Sequence, residues 1–191
     1  QLSTVDVSVL TDANVGAVTV TDGGVVSQTV AALTNIFTTS PDSADNYSIV
    51  DSATNVLAAT DAMRGFAQNI TLTGNSVVSD VMDVQSVLPM GQFLSYNLED
   101  TVAAVTNASD ALRNGATDIV VTGVANAAEA AAIEAATNTG DTSIAAVTDS
   151  AAALAGLSDD VLALVAGVVT ANTVATGAEA SAIAAVATDV V

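Results

Sequence analysis

Apolar positions along this chain switch between two periods. Over residues 47–50 and 70–73, Tyr-Ser-Ile-Val and Ile-Thr-Leu-Thr alternate, the period of a strand covered on one face. After the first of these, Val56, Leu57 and Met63 recur at helical spacing, and residues 77–87 repeat that period after the second. Polar punctuation divides the segments. Asp51, followed by Ser52 and Ala53, stands where a helix N-cap belongs. Gly65 stands where that helix ends, and Arg64 lies in its last turn, where a cation suits the dipole. Gly74-Asn75 reads as a turn into the second helix, and Pro89 stops it. The unit is strand, helix, strand, helix.

The unit recurs. Tyr47, Asp51, Arg64 and Ile70 are followed 49 residues later by Tyr96, Asp100, Arg113 and Ile119, and a third copy runs through Asp149 and Val168. The second copy predicts strands over 96–98 and 119–122 and helices over 101–113 and 127–136. The third predicts strands over 144–147 and 168–171 and helices over 150–165 and 177–186. It carries Ala145 and Leu162 at the tyrosine and arginine positions, and one extra residue near Asn172. Ahead of the array, residues 4–10 and 17–21 read as strands and 22–24 as a turn. Residues 25–37 read as a helix with Val26, Val30, Leu33 and Phe37 on one face, and 38–46 as a polar loop. The domain reading is an N-terminal cap over 1–46 and a repeat array over 47–191, in copies 47–95, 96–143 and 144–191.

Alternating strands need one covered face and one wet face, whereas a doubly covered sheet would carry continuous apolar strands. A closed β/α barrel also takes about 250 residues. The pattern therefore predicts the α/β class: an open, right-handed β–α solenoid with coils of about 24–25 residues, paired into a double repeat. Its period and order are leucine-rich-repeat-like, but the L-x-x-L-x-L-x-x-N consensus is absent.

Composition narrows what such an array does. Hydrophobic residues make up 51% of the 191 and aromatics 3%, so the core is a thin layer of small side chains. Net charge is −19, with 21 acidic residues against two arginines and no lysine. Nucleic acid and anionic membrane surfaces are excluded as partners, because both need basic side chains. A cation is the natural counterpart. The absence of Cys and His removes disulfides, thiolate chemistry and the usual zinc ligands. No apolar run is long enough to insert in a membrane; residues 151–169 come nearest and are broken by Ser158, Asp159 and Asp160. The chain opens on Gln1, which reads as a mature or excised segment.

Candidate chemistry is sparse. Asp51, Asp100 and Asp149 form a column, read first as helix caps and second as a metal site for Ca2+. No EF-hand loop accompanies them. Asp159-Asp160 reads as solvated helix surface, since adjacent residues on a helix do not face each other. Thr71, Thr73 and Thr122 line the open strand face, which offers a surface for a sugar or a protein. No nucleotide-binding glycine motif is present. Asn69-Ile70-Thr71 and Asn107-Ala108-Ser109 fit the glycosylation triplet.

Tyr47-Ser48-Ile49-Val50-Asp51-Ser52-Ala53, Ile70-Thr71-Leu72-Thr73-Gly74 and the alanine-rich run over 127–133 resemble degenerate repeats of very large secreted bacterial proteins, of the surface-layer and type I-secreted adhesin kind. The likeness covers the chain from Tyr47 onward and departs in the third copy. It implies an extracellular, cell-surface structural or adhesive role, with no catalytic or cofactor-binding residue to carry over. The implied partners are further copies, as a homo-oligomer or filament, or neighbouring repeats of a longer chain. Residues 181–191 stay rich in Ala and Val, so the sequence predicts end-to-end association there. The alternative role is a carbohydrate- or protein-binding module using the Thr/Ser face.

Overall fold

The computed structural model describes residues 25–37, 41 and 46–185. The cap strands at 4–10 and 17–21, the turn at 22–24, most of the loop at 38–46 and the last residues of the array lie outside the described residues. Among the described residues the fold is α/β, with seven strands alternating with helices and parallel pairing of the strands within each unit. The chain divides into two compact units, Gln1–Tyr96 and Asn97–Val191.

The first unit contains β1 (Val26–Gln28), α1 (Val30–Ile36), β2 (Tyr47–Asp51), α2 (Ala53–Ala58), α3 (Asp61–Phe66), β3 (Ile70–Ser76) and α4 (Val78–Val87). Strands β1, β2 and β3 pair in chain order, Val26 with Tyr47 and Ile49 with Ile70. Strand β4 (Leu94–Thr101) carries the division between the units. The second unit continues with α5 (Val102–Asn107), α6 (Asp110–Gly115), β5 (Ile119–Ala125), α7 (Ala127–Glu134), β6 (Thr142–Asp149), α8 (Ala151–Ala155), α9 (Asp159–Ala163), β7 (Val169–Ala171) and α10 (Gly177–Ala184). Leu98 pairs with Ile119, Val121 with Ile144 and Val147 with Val169.

These register partners are the core. Ile49, Ile70, Leu98, Ile119, Val121, Ile144 and Val147 are fully buried, as are the helix residues Val56 and Val81 in the first unit and Val105, Ile133 and Leu154 in the second. Burying each such side chain contributes roughly 1.5–3 kcal/mol. Helices stack as strands do: α2 packs on α4, α5 on α7, α7 on α9 and α8 on α10. Residues between the core positions are wetter, as at Thr71 and Thr73 in β3, although Ser48 of β2 is buried.

Several elements differ from the sequence reading. Residues 25–37 hold a short strand before the helix, because Thr29 accepts from the Ala32 amide and starts the helix only there. The single helix over 52–64 is two, broken at Ala59, whose backbone is extended. Thr60 then caps α3 through the Met63 amide. The breaks at Ser109 and Ser158 repeat this 49 residues apart. Gly65 lies inside α3 rather than past its end. Gly74 and Gly123 sit inside β3 and β5 at φ +70° and +91°, where a side chain is disfavoured. In β5 the register shifts between Val121 and Val124 at this point. The extra residue of the third copy enters between the Ser158 cap and Val169, since Val147 pairs with Val169, not Val168.

Candidate functional site: the repeated aspartate, arginine and tyrosine positions

The aspartate column ends the strands. Asp51 closes β2 and Asp149 closes β6, with the carboxylates reaching towards the helix starts. Neither caps its own helix: the caps of α2, α5 and α8 are Ser52, Thr101 and Ser150, one residue further on. The aspartates hold the preceding coil instead. Asp51 Oδ2 accepts from the Val30 amide at 2.9 Å, the first residue of α1, and Asp149 Oδ2 accepts from the Ala127 amide at 3.1 Å, the first of α7. The other oxygen serves its own coil: Asp51 Oδ1 accepts from the Ser52 amide and Asn55 Nδ2, and Asp149 Oδ1 from the Ser150 amide. Asp100 Oδ1 accepts from the Thr101 amide at 2.7 Å. In the next coil Thr173 Oγ1 accepts from the Ala151 amide at 2.9 Å, so a hydroxyl does for α8 what the carboxylate does for α7.

Helix N-termini leave amides unsatisfied, and a carboxylate there also meets the positive end of the dipole. Burial works against ionisation of Asp51, but the bonds from Asn55, Val30 and Ser52 outweigh it and hold its pKa below the ordinary value. Donors already point at these oxygens. Among the described residues, no group of three or more acidic side chains is placed to hold a metal ion.

Arg64 also acts on a different helix from the one it belongs to. It is 5% exposed, and its guanidinium donates to the carbonyls of Val56, Leu57 and Ala59 at the C-terminus of α2, and to Asp61. Arg113 donates to Ala132 O of α7 at 2.9 Å and to Asp110. The Nε of each arginine is buried without a partner. Tyr47 Oη donates to Met63 O at 2.7 Å, and its ring tilts against Phe37 at a centroid distance of 5.2 Å. Burial pushes the Tyr96 hydroxyl up, against a hydrogen bond with Gln85.

The remaining candidates do not join these. Asp159 and Asp160 are exposed in the first turn of α9. Thr71 and Thr73 stand on the wetter side of β3, while Thr122 Oγ1 donates to Asp100 O. Asn69 and Asn107 are exposed, and Asn107 Nδ2 donates to Ala103 O. Sequence reading missed Asn55 and the second tier of caps at Thr60, Ser109 and Ser158. Their signal is a Ser/Thr-Asp doublet recurring every 49 residues inside an apparently continuous helix. No protein-family model, curated protein or solved structure matches the chain. Among the described residues no helix is long and apolar enough to cross a membrane.

Proposed function

We propose that this chain is a non-enzymatic structural and assembly segment of an extracellular bacterial surface protein, of the surface-layer, filament or adhesin kind. Its coils form a right-handed, leucine-rich-repeat-like solenoid, the hand that parallel β–α–β connections adopt. The observation that carries this reading is the use of the repeated polar side chains. The same Asp position holds the helix of the preceding coil at Asp51 and at Asp149. Residues repeated to join one coil to the next are what a scaffold needs. Adding a coil at an array's end continues this bonding, whether that coil belongs to the same chain or another copy. Association is cation-assisted, because net charge −19 opposes contact between copies. Ca2+ acts by weak binding to exposed carboxylates. Melting the protein with and without millimolar calcium, at matched ionic strength, tests this: calcium raises Tm, and an unmoved Tm removes the calcium role.

The second reading is a carbohydrate- or protein-binding module. It is favoured by the exposure of Thr73 and half-exposure of Thr71 on β3. A glycan array separates the two: binding to a defined sugar supports the module, and an empty array leaves the scaffold.

A further inference from the structure

Large apolar side chains are partly or fully exposed where the connections at the ends of α3 and α4 meet. Phe66 ends α3 and is 40% exposed, Phe93 precedes β4 and is 62% exposed, and Met90 between them is fully exposed. Val87, the last residue of α4, is also exposed. The two connections are fastened together. Gln92 Nε2 donates to Ala67 O at 2.7 Å, the Ile70 amide donates to Phe93 O at 3.1 Å, and Gly65 lies against Pro89. In a chain with five aromatic residues, two are left partly exposed here.

The internal repeat supplies the control. Forty-nine residues on, Phe66, Val87, Met90 and Phe93 become Gly115, Ala136, Thr139 and Thr142. That copy forms the same strand, paired helices, strand and helix without a large apolar group at any of the four positions. The coil therefore does not require them, and an exposed apolar cluster without a folding role marks a contact surface.

Charge decides among occupants. Arg64 is the one basic residue between Gln1 and Tyr96, and it is buried on helix carbonyls. The nearby exposed carboxylates are Asp83, one turn before Val87, and Asp61 at the start of α3, which Arg64 already pairs, so the charge left open beside the patch is negative. A second copy would bring the same −19 and no lysine, and both arginines are already bound to carbonyls. We propose that Phe66, Val87, Met90 and Phe93 dock a segment of another protein that presents apolar side chains flanked by Lys or Arg. Methionine and phenylalanine supply an adaptable apolar contact, and the acidic surroundings supply attraction and orientation. This site is independent of coil-to-coil assembly.

The test uses the whole chain and a fluorescent peptide of leucine and lysine at amphipathic helical spacing. Two control peptides have serine for leucine or glutamate for lysine. Fluorescence anisotropy should show the leucine–lysine peptide binding at least about tenfold more tightly than either control. The variants carry the residues of the second copy: Met90→Thr alone, which touches a fully exposed side chain, and Phe66→Gly with Met90→Thr and Phe93→Thr. Weakening of about threefold or more in the single variant and tenfold or more in the triple one, with circular dichroism unchanged, supports the assignment. Three results overturn it: no binding, equal binding by wild type and both variants, or wild-type dimers that the triple variant dissolves, which would make a second copy the occupant.

Discussion

Asp51 does two jobs with one side chain, and its titration exposes both. Its ordinary value is 3.8 and its folded pKa is lower. The stability it contributes is therefore complete above the ordinary value and disappears as pH falls through the folded one. Asp51→Asn keeps the shape but turns an acceptor towards donors as an amide. At neutral pH it should cost about 1–3 kcal/mol in urea denaturation, and the difference from wild type should shrink at pH values below the folded pKa. An equal difference at both ends would show that the charge contributes nothing. The arginines make a sharper contrast. Arg64→Ala leaves three helix carbonyls without their donor and should cost about 2–3 kcal/mol by the same measurement. Arg113→Leu should fall within about 1 kcal/mol of wild type, because the third copy already carries a buried Leu162 at that position.

At the scale of elements, short helices depend on their ends. Helices α2, α3, α5 and α6 have six residues each, too few to persist without caps and packing. Ser52→Ala and Thr60→Ala should each lower stability by about 1 kcal/mol, read from denaturation midpoints. Gly74→Ala and Gly123→Ala should cost a similar amount: nothing lies within 4 Å of the added carbon, so the penalty is the backbone angle alone. The third copy has Thr173 in that place, and its strand β7 stops at Ala171.

The parallel α/β order and the buried positions were legible, because alternation and helical spacing follow directly from Ile49, Ile70, Leu98 and Ile119. The split helices were not. Val56 and Met63 keep helical spacing across the break, so periodicity alone reads one helix, and only Thr60-Asp61 marks the restart. The aspartate column was visible as a column, but its partner was not. A carboxylate in the sequence shows its own neighbours and hides the helix 21 or 22 residues behind it. Strand register was hidden for a related reason. Ile119 pairs with Leu98 while Ala125 pairs with Val147, so part of the 49-residue spacing runs along β5 itself.

At the scale of the whole molecule, 21 carboxylates face two arginines already bound to carbonyls. Self-repulsion at low salt and relief at high salt follow from that balance. If copies assemble by coil addition, as proposed, head-to-tail contacts whose rotation does not close would give open polymers rather than a fixed oligomer. The most direct test of the scaffold reading is light scattering of the chain well above micromolar concentration, from low salt to seawater-like salt and then with millimolar calcium. A self-assembling scaffold should show a mean mass that rises with salt, rises further with calcium and grows with protein concentration without a plateau. A monomer's mass at every salt and calcium concentration would contradict it.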